Sequence, residues 1–125
     1  MPRVLTVVLL LSFAATASPA RAQSAQSTMI GGCRVAELSS IEQQSDKVKN
    51  AEGVEENVST ALRSVRVDCD GMQFFAERMQ VFHDRGRVVA NGNVLFISGG
   101  HRISADRMDF DTKTRTGSFL SLIHI

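Results

Sequence analysis

Three kinds of residue in this 125-residue chain have the chemistry to bind or react: two cysteines, three histidines and a pair of acid-arginine steps 29 positions apart. Cys33 and Cys69 could close a disulfide if the chain folds in an oxidising compartment and their Cα atoms approach, a matter of geometry that sequence leaves open. Neither thiol sits in a CxxC pair or beside clustered histidines, so metal binding is a poor reading. Cys33 follows Ile30-Gly31-Gly32, a faint lipoprotein-like box, but the apolar run that such a box needs ends well before it. Glu77-Arg78 and Asp106-Arg107 place a planar guanidinium beside a carboxylate. Arginine there could grip a phosphorylated sugar headgroup. The plainer alternative is that the acids accept hydrogen bonds from turn amides and the arginines are solvated. His83 and His101 lie beside turn residues without partners at ligand spacing and read as exposed turn residues. No Ser-His-Asp order, phosphate-binding glycine loop or isolated carboxylate pair is present, so the chain is not read as an enzyme and no cofactor is implied.

The elements that must position these residues are set by pattern. Arg66, Asp68 and Asp70 alternate with Val65, Val67 and Cys69, the two-residue period of a strand. Val88, Ala90, Val94 and Phe96 keep the same period, with Gly92 in line. Asp70-Gly71, Arg85-Gly86 and Gly99-Gly100 supply the turns. An all-β class follows.

Comparing the chain with itself adds a second level of order. Val65, Gly71, Ala76, Arg78 and Met79 recur as Val94, Gly100, Ala105, Arg107 and Met108, with Glu77 matched by Asp106, each pair 29 positions apart. The unit runs over about residues 64–92 and again over 93–119. In each copy the apolar phase slips once: Phe74 and Ala76 are followed by Met79 and Val81, Ile103 and Ala105 by Met108 and Phe110. A strand that keeps one face buried must therefore bend near Glu77-Arg78 and Asp106-Arg107, at a bulge or corner that folds the sheet.

Outside the repeat the reading is coarser. Met1-Pro2-Arg3, the apolar run at 4–15, and the small residues Ala20 and Ala22 read as a signal peptide over 1–22 cleaved before Gln23, which implies export to the periplasm. A retained membrane anchor competes, but the run is short for a bilayer. Residues 23–29 are small and polar and read as a flexible leader. Over 35–63 the apolar residues Leu38, Ile41, Val48 and Val54 are sparse, and Ser39 with Glu42 could form a helix capping box, so a short helix competes with a poorly ordered strand; 23–63 is taken as leader and linker. The final Leu120-Ser121-Leu122-Ile123-His124-Ile125 looks like a translated sequencing adaptor. On that reading 120–125 is non-native, the chain continues beyond about Phe119, and His124 has no role; a genuine last strand is the alternative.

Charge excludes two classes of partner. Fourteen basic residues face thirteen acidic ones, so no strong field recruits nucleic acid or an acidic bilayer. All seven aromatics are Phe, poor material for stacking bases or sugars.

The stretches Val88-Val89-Ala90-Asn91-Gly92-Asn93-Val94 and Ile103-Ser104-Ala105-Asp106-Arg107-Met108-Asp109-Phe110 resemble the OstA-like (LptA-like) domain of lipopolysaccharide transport. That family shows an Ala-x-Gly-Asn-Val turn and an apolar-x-Ala-Asp-x-apolar-x-aromatic strand. The likeness covers about 64–119; Arg63-Ser64-Val65 departs from Gly-Asn-Val, and nothing aligns upstream. The resemblance implies a V-shaped, jellyroll-like or solenoid-like stack of antiparallel strands in the periplasm that binds lipopolysaccharide on its way to the outer membrane. Its place there would be as a bridge component or as the N-terminal domain of a larger outer-membrane assembly protein with a barrel. It also implies partners of the same fold joined by edge-strand pairing. The groove-lining candidates are Val65, Val67, Phe74, Met79, Val81, Val88, Val94, Phe96, Ile103, Met108 and Phe110. A lipid chain of about a dozen carbons would cost on the order of 10 kcal/mol to expose to water, at about 0.8 kcal/mol per methylene, and an apolar groove offsets that. The competing reading is a structural envelope repeat whose apolar faces close on each other as core.

Overall fold

The computed structural model describes residues 25–121. The signal-peptide and cleavage-site reading lies outside the described residues, as do the last four residues of the tail. Among the described residues the chain is all-β: one antiparallel sheet of eight strands and no helix. The strands are β1 (Gln26–Thr28), β2 (Ala36–Ser39), β3 (Glu42–Lys49), β4 (Glu55–Cys69), β5 (Met72–Phe82), β6 (Arg87–Ser98), β7 (His101–Asp111) and β8 (Thr116–Leu120). Their order is β1-β2-β4-β5-β6-β7-β8, with β3 paired to the first part of β4.

Tight turns make neighbours in sequence neighbours in space. Asp70 and Gly71 take φ of 48° and 87°, the left-handed pair that a two-residue hairpin turn requires. Thr112 to Arg115 turn β7 into β8 around Asp111, whose carboxylate accepts the Lys113 amide at 2.8 Å.

The phase slip has its structural counterpart. In β5, Phe74 and Ala76 are buried, Glu77 and Arg78 are both exposed, and Met79 and Val81 are buried again; in β7, Ala105, Asp106, Arg107 and Met108 repeat that sequence of exposures. The extra residue lies on the partner strand. Between the pairs Leu62↔Arg78 and Val65↔Ala76, two residues of β4 face one of β5; between Asn91↔Arg107 and Val94↔Ala105, two of β6 face one of β7. Those inserted residues are Arg63-Ser64 and Gly92-Asn93, all four left-handed, with φ of 65°, 49°, 80° and 47°. The site where Arg63-Ser64 departs from Gly-Asn in sequence is thus the site where both copies share one backbone shape. Arg115, with φ 57°, sits 29 positions after Gly86, with φ 70°, so the repeat persists in the backbone where the side chains have diverged.

The bulges line up across the sheet as a crease and fold it into two leaves. One leaf holds β1, β2, the last parts of β4 and β6 and the first parts of β5 and β7. The other holds β3, the first parts of β4 and β6, the last parts of β5 and β7, and β8. Phe110 pairs with Val88 on β6, eight residues from Phe96, a separation of roughly 26 Å along a straight strand. The rings of Phe96 and Phe110 are 5.3 Å apart, so the leaves face one another.

The region before the repeat is corrected by the structure. The stretch read as leader and linker contains β1, β2, β3 and the first half of β4, and the boundary placed at Ser64 falls inside β4, at its bulge. No helix starts at Ser39; Ser40 instead bonds the Glu42 carbonyl through its hydroxyl at 2.8 Å, where β2 passes into β3. The alternation expected of a strand is missing from β3 because it is an edge strand exposed along its whole length. Its eight-residue ladder with β4 holds it, and backbone pairing leaves no hydrophobic signature. At the other end, β8 reaches Leu120, one residue into the stretch read as a non-native tail.

Candidate functional site

The crease brings the eleven groove candidates onto the inner surface of the folded sheet. Val65, Val67, Phe74, Val94, Phe96 and Ile103 line one leaf; Met79, Val81, Val88, Met108 and Phe110 line the other. Ten of them are buried; Ile103, at 37% exposed, sits on the rim. Phe74 contacts Phe96 and Phe110, each at 5.1 Å between ring centres, and Phe119 of β8 extends the cluster to Phe96 at 5.6 Å. Leu38, Ala61, Met72 and Ala90 fill the rest. In this state the candidates pack against each other.

The two ends of the interior differ in character. At the β7-β8 end the apolar surface runs out to partly buried Phe119, to Ile103 and to exposed Leu120. β8 pairs only with residues 107–111 of β7, so the first part of β7 carries an outer edge that β8 does not cover. At the β1-β3 end polar side chains enter the lining, and a cleft of about 550 Å³ is edged by Gln43, Ser45, Lys47, Asn57, Ser59 and His83 together with Met29 and Val58.

His83, expected as a free turn residue, is the hub of that polar end. Its Nδ1 lies 2.6 Å from the Met29 carbonyl and its Nε2 2.6 Å from Ser59 Oγ, which is 3.2 Å from Ser45 Oγ. A carbonyl only accepts, so Nδ1 carries a proton, while Nε2 and the Ser59 hydroxyl share the second hydrogen bond. This is the spacing of a nucleophile and its base. Ser59 is only 2% exposed, however, and the arrangement ties β1, β3, β4 and the β5-β6 turn together. The pairing was illegible in sequence because its members lie 24 and 54 residues apart. His101 opens β7, exposed and paired with Ser98.

Along the open side, where the rims of the two leaves meet, residues 29–35 run across both. Toward the second leaf, Gly31 donates to the His83 carbonyl at 2.6 Å, and the Thr112 hydroxyl bonds the carbonyls of Gly31 and Gly86. Gly32 turns the chain at φ 82°, and a Cβ there would stand 2.7 Å from the Lys113 backbone. Toward the first leaf, Cys33 and Cys69 form a disulfide, their Cα atoms 5.4 Å apart. The Asp70 carboxylate accepts the amides of Arg34 and Val35 at 2.8 to 3.0 Å, and Asp70 donates its own amide to the Val35 carbonyl. Those amides, and then Arg115 at 3.1 Å, hold the Asp70 carboxyl below its ordinary value. Since Arg115 belongs to the β7-β8 turn, its contacts with Asp70 and with Met72 Sδ at 3.6 Å also cross the seam.

At the crease the acid of the first copy finds a side chain rather than a turn amide: Glu77 accepts the Asn93 amide group at 2.7 Å. Arg78 and Arg107 are exposed. Among the described residues no three histidines, cysteines or carboxylates gather as metal ligands, and no helix is long and apolar enough to cross a membrane. Comparison with family models, curated proteins and solved structures finds no match.

Proposed function

We propose that this chain is an OstA-like lipid-carrying module of the bacterial envelope, which shelters acyl chains of lipopolysaccharide between its two leaves in the periplasm and hands them on toward the outer membrane. The observation that carries the reading is the creased, duplicated sheet whose apolar inner surface is continuous from Leu38 to Phe119 and reaches an uncapped rim at β7-β8. A carrier needs an apolar path along its length and a mouth that is not sealed by polar groups. The phase slip and the Gly92-Asn93 bulge, the features that carry the family resemblance in sequence, are the same features that fold the sheet. On this reading a related domain would continue the path by adding a strand to the edge that β8 leaves uncovered. The protein would act as a bridge component or as the first domain of a larger outer-membrane assembly protein. It would act by binding, without catalysing a reaction.

One observation favours a second reading, a structural envelope repeat without ligand: ten of the eleven groove candidates are already buried against each other. Photocrosslinking separates the two. With a photoreactive residue placed in turn at Ile103, Phe96 and Phe119, the carrier reading expects adducts with lipopolysaccharide, strongest at the β7-β8 rim. Adducts confined to the protein itself would leave the structural reading in possession.

A further inference from the structure

We propose that residues 29–35 are a hinged strap over the open side of the folded sheet, tethered to the first leaf by the Cys33–Cys69 disulfide and latched to the second at Gly31. Releasing the latch uncovers the apolar interior to an acyl chain; that last step rests on the carrier reading above, whereas the strap itself does not.

The two attachments differ in kind. On the first-leaf side the disulfide is covalent, and the Asp70 carboxylate adds charge-assisted bonds to two successive amides. On the second-leaf side the strap is held by hydrogen bonds at Gly31, by the Met29 carbonyl on His83 Nδ1, and by one inserted side chain, Ile30, which is 3% exposed. Met29 and Val35 at its two ends are 86% and 66% exposed where the segment leaves the paired strands β1 and β2, so Ile30 is the apolar side chain it buries on the second-leaf side, with Cys33 packed beside the core on the first.

The latch is built to let go without orphaning a buried group. Thr112, fully buried, bonds two carbonyls with one hydroxyl; when Gly31 leaves, the bond to Gly86 remains. Gly31 lies so close to the rim that a Cβ would stand 2.6 Å from the Asp84 carbonyl, and having none it withdraws without dragging a side chain past the backbone. Arg115 spans the seam beyond the strap and keeps the leaves in register while the strap swings. Opening therefore exposes Ile30 and the apolar surface beneath it, and little else.

Native-state hydrogen exchange on the full, disulfide-bonded chain tests this. The Gly31 amide should exchange through a local opening at least about tenfold faster than the most protected ladder amides of β5 and β6. Thr112→Val, which removes the latch hydroxyl, should speed Gly31 about tenfold more while leaving those ladder amides unchanged. Should that variant not fold, Ile30→Ala loosens the same side, and the comparison within the unaltered chain stands regardless. Exchange of Gly31 in step with the β5-β6 ladder would overturn the strap, because the segment would then belong to the cooperative core. Cis-parinaric acid supplies the second readout: the loosened variant should bind it several-fold more tightly. Faster Gly31 exchange with no gain in cis-parinaric acid binding would keep the moving strap and overturn its link to lipid entry, whereas the carrier reading itself stands or falls by the crosslinking at the β7-β8 rim.

Discussion

Gly92 and Asn93 fold the second copy of the repeat, and Arg63 and Ser64 do the same in the first with side chains that dislike the conformation. A left-handed backbone costs an ordinary L-residue roughly 1–2 kcal/mol, and a Cβ on Gly92 would also stand 2.5 Å from Glu77 Oε2. Gly92→Ala is therefore expected to lose at least about 1–2 kcal/mol in urea unfolding. Arg63→Gly relieves the same strain and should gain up to about 1 kcal/mol; a loss there would show that Arg63 earns its place otherwise. Asp70 sets a pH dependence of known sign. Its folded value is depressed by the Arg34 and Val35 amides, so its ionised form stabilises the fold, fully so above the unfolded value. That contribution fades as the pH falls below about 4. Asp109 adds in the same sense through its bond with Arg87. Asp70→Asn should flatten the acid limb of a plot of stability against pH, and an unchanged limb would assign the dependence to other carboxylates. Neither Asp70 nor His83 could be picked out by spacing, because their partners Arg34 and Met29 lie 36 and 54 residues away.

At the scale of elements, what could be read from the chain followed burial. β4 from Val65 onward, β5, β6 and β7 bury one face, and alternation revealed them, including the bend. β3 buries neither face, and β1 is three residues long, so no periodicity could announce either. The disulfide is an element of the same standing, since it joins residues 36 positions apart and closes a loop around β2, β3 and the whole of β4. Loop-closure entropy puts its contribution at about 4 kcal/mol. Replacing both cysteines by serine should lower stability by up to that amount, measured by chemical unfolding; no loss would mean that the unfolded chain is already held compact. Phe74, fully buried between the leaves, is the aromatic whose removal should hurt most. Phe74→Ala is expected to cost about 3–5 kcal/mol.

For the molecule as a whole, the sequence disclosed the surface that would become the interior but not what closes it. Ten of the eleven apolar candidates are buried there, and their burial was legible because strands sort side chains by parity. The strap, the polar cleft and the contact of Arg115 with Asp70 were not, because each depends on two leaves folding until distant turns touch. The crease also has a consequence for how such a chain can grow. Every unit of 29 residues contains one insertion that restores the parity it would otherwise lose. A further whole copy could be spliced in, or one removed, and each remaining side chain would still point inward or outward as before. One residue more or fewer turns everything downstream inside out. The array therefore has a natural quantum of length, and its reach can evolve by counting copies rather than by redesigning any of them.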